Sequence, residues 1–430
     1  MDRYSKVNDS LNTTRLDFVR DDSKYLFDGL REISKDKDGV TRGSYSEEES
    51  KALNFLIDYA VSNGLSVTED KAKNVVFSLQ EHSGSDKYTL IGSHIDSVPQ
   101  GGNYDGAAGI VAGLVCLAYA QKKGHVFPKA VKVIAIRGEE SAWFGSCYVG
   151  SRALLGKLDA KELEFKHRHS GESLSECMEK IGIDVSPIRK QTPLVDKNEI
   201  EAYLELHIEQ GPVLVELDKP LAIVTGIRGN VRHRGIHCIG ESGHSGAVPR
   251  EFRHDSVFAV SSLLVRLDDH WKTLLDHGAD LVVTSGIVST NYQEHAMSRI
   301  PGDVTFSFEA RSEHEDVLNT VASLLDSESK IVERERKVRF EFDGQVTSKP
   351  AILDNKIVSG LKSSAKKLDY GDFVMASGAG HDAAVFANSG VPSGMIFVRN
   401  QNGSHNPNET MNIDDFMQAT SVLYTYVMGD

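Results

Sequence analysis

The hydrophobic pattern of the chain changes period repeatedly, and the changes divide it into elements. In residues 8–33, Leu11, Leu16, Phe18, Val19, Tyr25, Leu26 and Leu30 recur at roughly helical spacing, which predicts a helix. Residues 47–63 predict a second one. Ser46 stands where an N-cap belongs, and Glu47, Glu48 and Glu49 suit the positive end of the dipole. Short β-rich runs at 74–79, 88–93, 130–136 and 202–206 then alternate with helical stretches. The Gly-, Ala- and Val-rich stretch 105–123 reads as a helix buried on most sides. This alternation implies an α/β domain with a central mixed, largely parallel sheet. Residues 165–200 are polar and without clear period, which predicts short helices and loops over the sheet edge.

From Leu221 the order changes. Strand-like 221–239, helical 255–271, strands 280–288 and 304–310, helical 314–333 and strand 337–342 spell β-α-β-β-α-β, the ferredoxin-like split pattern. After Pro350 the α/β character resumes, with helices at 355–368, 381–387 and 413–427 and a strand at 394–398. The predicted organisation is one α/β domain in two parts, 1–225 and 346–430, with an α+β domain, 226–345, inserted between them.

A length of 430 residues with 40% hydrophobic content gives each domain enough material for its own core. The formal net charge of −14 argues against nucleic acid as a partner, since phosphate binding needs a basic face. No run approaches the roughly 20 apolar residues that span a bilayer. Residues 1–24 carry neither an apolar signal core nor an Arg-rich transit character. Cys116, Cys147, Cys177 and Cys238 are widely spaced and form no CxxC pair. They read as reduced thiols of a cytoplasmic protein.

Candidate chemistry gathers at strand ends. His94 follows the run 88–93 and Asp105 follows a loop containing Gly101 and Gly102. Glu139 and Glu140 follow the apolar run 131–136, His207 follows 202–206, and His405 lies beyond 394–398. Open α/β sheets place their sites at such carboxyl ends. Singly, each residue has a plainer explanation: a core histidine for His94, His207 or His405, and a helix N-cap for Asp105. Two adjacent acids after a buried strand are harder to explain, because such burial costs several kcal/mol unless a cation offsets it. As a set, His, Asp, Glu, His and His offer nitrogen and carboxylate ligands suited to divalent zinc, with manganese, cobalt or nickel as alternatives. Asp105, with two oxygens, is able to bridge two ions. Asp96, two residues after His94, is placed to steady its imidazole.

The segments GSHIDSVPQGGNYDGAAGI, EESAWFG, ELHIEQGPVLVE, SGHSGAVP and SGAGHDA together resemble the two-metal amidohydrolases and exopeptidases of the aminoacylase and carboxypeptidase type. Within that family the resemblance is to the branch holding N-carbamoyl-L-amino-acid hydrolases, β-ureidopropionase and allantoate amidohydrolase, and it covers nearly the whole chain. It implies one metal held by His94, Asp105 and His207, and a second by Asp105, Glu140 and His405. It makes Glu139 the general base. His207, where many peptidases carry an acid, points to the carbamoylase branch, in which Gln210 lies near the site. The inserted domain resembles a dimerisation or lid domain. Its His244 matches a histidine that completes the site of a neighbouring subunit in a homodimer. Arg311 matches a substrate carboxylate clamp, a task suited to a planar guanidinium. His381 matches a histidine facing the substrate.

The resemblance also has departures. Ser298 stands where the family usually has Asn, Trp143 where it usually has Arg, and Arg399-Asn400-Gln401-Asn402 replaces a less charged lead-in to His405. Ser298 falls where the substrate's amide or carboxylate would be held, so substrate identity is the property these changes bear on. The implied reaction is hydrolysis of a linear amide or ureido C–N bond in a small carboxylate-bearing molecule. The alternative is a metallo-exopeptidase or aminoacylase acting on dipeptides or N-acyl amino acids.

Overall fold

The structure is a computed structural model that describes residues 19–429. It divides into two compact units. One combines the described residues up to Thr225 with those from Ile352 onward, and the other is Gly226–Ala351. The sequence reading ended the inserted segment at 345. The structure carries it to Ala351, because Val346–Ser348 still pairs with Gly229–Ile239.

Among the described residues, the first unit is built on a nine-stranded sheet. Its centre is four parallel neighbours in the order Ser393–Val398, Ile200–Ile208, Tyr88–His94 and Val131–Ile136. Antiparallel strands extend both sides: Leu221–Ile227 beside Ser393–Val398, and Val75–Ser78 then Ser66–Glu69 beside Val131–Ile136. The sheet is therefore mixed with a parallel core. Tyr88–His94 is buried at every position, as expected of a strand covered on both faces, and its polar Ser93 and His94 fall at the C-terminal end.

Helix Ala107–Lys123 packs on this parallel core, and every residue from Ala107 to Ala120 is buried. A Cβ on Gly109 would come within 2.4 Å of the Leu206 carbonyl oxygen, and one on Gly113 within 2.8 Å of the Val133 methyls. The small residues thus set how closely helix and sheet approach. Leu204, Leu206 and Ile208 join the same core, while Tyr203 stacks at 3.9 Å on Phe386 of helix Asp382–Asn388. Helix Glu47–Ser62 begins as its sequence implied, with the Ser46 side chain accepting the Glu49 N–H. Of the helix predicted over 8–33, Arg20–Ser34 is helical, and 8–18 lie outside the described residues.

Two expectations change. The 221–239 run is two strands in different sheets, Leu221–Ile227 in the first unit's sheet and Gly229–Ile239 in the second's. The 280–288 strand is two short ones, Val282–Thr284 and Val288–Thr290, both paired with Asp303–Ser312. In the second unit the sheet order is Val282–Thr284, Asp303–Ser312, Gly229–Ile239, Arg339–Phe342, all antiparallel. Helices Ser256–Asp276 and Glu315–Arg336 pack on this sheet around Ile236, Leu263, Phe306, Phe308 and Leu325. That is the order and alternation of a ferredoxin-like fold.

Candidate functional site

The parallel register is what gathers the dispersed residues. His94 closes its strand opposite Ile136, so the turn carrying Glu139 and Glu140 starts level with it. His207 pairs with Phe397 on the other neighbour, whose chain then turns toward His405. Asp105 precedes helix Ala107–Lys123, whose N-cap is Gly106 at φ +67°. Asp105 is therefore no cap. Its carboxylate is free to face the histidines. A Cβ at Gly106 would fall 2.5 Å from the His94 imidazole, so only glycine lets the loop pass the ring.

Asp105 divides its two oxygens between two groups of ligands. Oδ1 lies 3.2 Å from His207 Nε2 and 3.7 Å from His94 Nε2. Oδ2 lies 3.3 Å from His405 Nε2, which is itself 3.4 Å from Glu140 Oε1. Gln210 Nε2 donates to the same Oδ2 at 3.0 Å. The far nitrogens of the two buried histidines are tied to backbone carbonyls: His94 Nδ1 to Asp96 at 2.9 Å and His207 Nδ1 to Ile208 at 2.9 Å. Donation from Nδ1 leaves each Nε2 lone pair turned into the site, as metal ligation requires. Asp105 Oδ1 and His207 Nε2 are buried without a hydrogen-bond partner. Orphaned buried atoms are costly, and here a cation would satisfy them. His94, Asp105 and His207, and separately Asp105, Glu140 and His405, each bring their ligand atoms within 4.8 Å of one another. His405 and Gln210 both adopt left-handed backbone, at φ +60° and +64°. Such strain in non-glycine residues is typical of functional positions.

The acidic turn is held from behind. Asp96 Oδ1 accepts the Glu139 N–H and Oδ2 the Glu140 N–H, each at 3.0 Å, while the Ser44 hydroxyl donates to Oδ2 at 2.6 Å. Asp96 also faces His94. Its carboxylate is 3.5 Å from His94 Nδ1, and its backbone carbonyl meets the same nitrogen at 2.9 Å. Burial, reinforced by Glu140, Asp382 and Asp96 and opposed by His94, pushes the Glu139 carboxyl well above the usual range. Glu139 Oε2 stands 4.0 Å from His94 Nε2.

The remaining predicted residues are placed differently. His381 is fully buried, hydrogen-bonded through Nε2 to Ser377 Oγ at 2.9 Å, with its ring 4.4 Å from that of His207. Burial, then the neighbouring His207, hold it well below the usual imidazole range. His244, Ser298 and Arg311 belong to the second unit. His244 is exposed, and its Nδ1 accepts the Gly246 N–H. Ser298 is exposed, with its carbonyl accepting the Ser245 N–H. Arg311 lies on Asp303–Ser312 and pairs with Glu309 at 3.1 Å.

Two further buried acids support the site, and neither stands at the carboxyl end of a strand. Glu409 is buried, and its Oε1 accepts the N–H groups of Tyr104 and Asp105 at 2.8 and 3.3 Å. Burial, then Asp105, push it up to about 7. Glu205, two residues before His207 on the same strand, accepts from the Ser93 hydroxyl and the Ala383 N–H at 2.7 and 2.8 Å. An acid inside the mostly apolar run 202–206 was the available signal for Glu205. For Glu409 the signal was an acid four residues after His405 in an Asn-Pro turn.

Comparison with known proteins adds an independent line. The family model described as peptidase family M20/M25/M40 matches residues 90–429. An N-carbamoyl-L-amino acid amidohydrolase of Geobacillus stearothermophilus is 32% identical over 92% of this chain and 94% of its own length. The allantoate amidohydrolase of Escherichia coli is 29% identical over 90% and 91%. Among solved structures, an amidase of the hydantoinase/carbamoylase family from Burkholderia multivorans superposes with a TM-score of 0.84 at 26% identity, covering 95% of this chain and 97% of that one.

Proposed function

We infer the reaction of this chain from the family to which it belongs, peptidase family M20/M25/M40. The protein is a metal-dependent amidohydrolase that cleaves a linear amide or ureido C–N bond of a small substrate. The relatives named for carbamoyl amino acids and allantoate favour this over a peptidase reading. The observation that carries it is the shared Asp105 carboxylate, one oxygen facing His94 and His207 and the other facing His405 beside Glu140.

The site is read as holding two divalent ions, zinc first, with manganese, cobalt or nickel as alternatives. His94, Asp105 and His207 would hold one, and Asp105, Glu140 and His405 the other. Bound there, the ions would polarise the substrate carbonyl and make water more acidic. Glu139 takes a proton from the attacking water and delivers it to the leaving nitrogen, a task its raised affinity for protons suits. Asp96 holds the Glu139 and Glu140 amides and so fixes the direction of both carboxylates. Gln210 keeps Asp105 oriented. The substrate is read as a carboxylate-bearing N-carbamoyl amino acid, ureido acid or allantoate-like molecule. From the resemblance, Arg311 is read as binding its carboxylate, Ser298 and His381 as further substrate residues, and the partner subunit's His244 as stabilising the oxyanion in a homodimer built on the second unit. No described helix is long and apolar enough to cross a membrane, and a cytoplasmic setting is proposed.

The test is a screen of the metal-reconstituted protein against N-carbamoyl-L-amino acids, ureido acids, allantoate and dipeptides, reading ammonia and free amine. Turnover of ureido substrates with release of ammonia is expected. Turnover of dipeptides alone would overturn the reading in favour of an exopeptidase.

A further inference from the structure

Behind the acidic turn lies a buried ion pair that has no part in the roles above. Glu49 and Arg137 are 0% and 5% exposed and are bonded to each other. We propose that Glu49 is a positioning residue for the reaction, holding the Arg137–Glu140 turn in the shape that presents Glu139 and Glu140. The inference rests on the reading of Glu139 as base and Glu140 as ligand.

The strand ladder ends at Ile136, so the next amides need new partners. Four in succession find them in side chains. The Arg137 N–H donates to Asn74 Oδ1 at 3.0 Å, Gly138 to Glu49 Oε1 at 3.1 Å, and Glu139 and Glu140 to the two oxygens of Asp96. The carbonyls of Arg137, Gly138 and Glu139 accept from Gly150, Val149 and Tyr148 at the start of the next helix. Both edges of the turn are therefore bonded, and two carboxylates, Asp96 and Glu49, hold three of the four amides.

Glu49 is suited to this because a carboxylate accepts several donors at once. Oε1 takes Gly138, while Oε2 takes the Tyr45 N–H at 2.9 Å and Arg137 Nη1. Arg137 compensates the buried charge and spans onward, its Nε donating to the Lys73 carbonyl at 2.8 Å. The Tyr45 ring closes the space beside Gly138, which sits at φ +66° with a Cβ position 2.6 Å from that ring. The other acids of the same helix start, Glu47 and Glu48, are not buried. Glu49 alone turns inward, so its part in the first helical turn does not explain it.

The test uses Glu49→Ala and Glu49→Gln in the full-length, metal-loaded protein, alone and combined with Glu139→Gln. Hydrogen exchange supplies a readout independent of activity. In Glu49→Ala, peptides covering 137–148 should exchange at least about tenfold faster, while those covering 88–94 keep their protection. On the best substrate, Glu49→Ala should lower kcat roughly 10- to 100-fold with KM nearly unchanged, the range seen when support of a reacting group is lost. Glu49→Gln, which keeps one acceptor for Gly138, should recover most of that loss, and it carries the comparison if Glu49→Ala does not fold. In the Glu139→Gln background, Glu49 substitution should lower residual turnover by much less than in the parent, because the part of its effect that passes through Glu139 is already lost. Unchanged exchange at 137–148, a kcat within twofold of the parent, or an additive loss in the double variant each overturn the proposal. A parent inert toward every C–N substrate would instead refute the function proposed above, and the exchange result would still judge the clamp.

Discussion

Replacing Asp105 by Asn removes one negative charge and keeps the shape of the side chain. Its two oxygens lie 3.2 Å from His207 Nε2 and 3.3 Å from His405 Nε2, so a single carboxylate serves both candidate ligand groups. A divalent ion about 4 Å from a unit charge gains roughly 8 kcal/mol at an effective dielectric near 20. Water and the remaining amide oxygen replace much of that. A net loss of roughly 2–4 kcal/mol per ion corresponds to a rise of about 30- to 1000-fold in each dissociation constant. His405→Ala is the matched comparison, because His405 touches only the Asp105–Glu140 side. It should weaken one ion by a similar factor and leave the other within about threefold. The assay is calorimetric titration of metal-stripped protein, checked by metal analysis after dialysis against a metal buffer. The reasoning is refuted if Asp105→Asn binds two ions with parental affinities, or if the two variants lose both ions alike.

Further outcomes are expected. Glu139→Gln should keep its metal content and lose turnover by at least the 10²- to 10⁴-fold typical of a removed acid–base group, read by parallel metal analysis and initial rates. Gly106→Ala forces a Cβ to within 2.5 Å of the His94 ring at a positive φ, and should lower stability by roughly 1–3 kcal/mol and weaken the ion on the His94 side, read by denaturant unfolding and titration. Trp143 is buried and donates its indole N–H to the Ser97 carbonyl at 2.8 Å. Trp143→Phe should therefore cost roughly 1–3 kcal/mol through the orphaned carbonyl, and Trp143→Ala roughly 3–5 kcal/mol through the cavity, both read by denaturant unfolding. Removing metal with a chelator should lower the melting temperature, because the ions bind the folded site and not the dispersed ligands of the unfolded chain. Re-addition of zinc or manganese should restore it.

Much of the candidate site could be found in the sequence because its residues sit at element ends, where periodicity stops and a polar residue stands out. His94, the Glu139-Glu140 pair and His207 all terminate apolar runs, and the glycines before Asp105 mark a close approach. Asp96 shows where that method stops. Its distance of two residues from His94 suggests a contact with the imidazole, and the carboxylate lies 3.5 Å from Nδ1, but nothing in that spacing reveals that it also takes the Glu139 and Glu140 amides. In the sequence Glu49 reads as a favourable helix start, and Glu409 as one more acid of the Asn-Pro turn after His405. Both act on residues far away in the chain, at Gly138 and at Asp105.

By itself, then, the sequence determined most of the elements and the ferredoxin-like order of the second unit, and it marked the polar residues at strand ends that make up the candidate ligand set. Those follow from local spacing, which backbone geometry converts directly into faces and ends. Only tertiary structure decided which atoms meet. Parallel register set His94 beside Ile136 and His207 beside Phe397, which placed four strand ends along one edge. Burial then decided that the carboxylates of Glu49, Asp96, Glu205 and Glu409 would serve backbone amides and hydroxyls, because a buried charge must find donors wherever the packed chain supplies them.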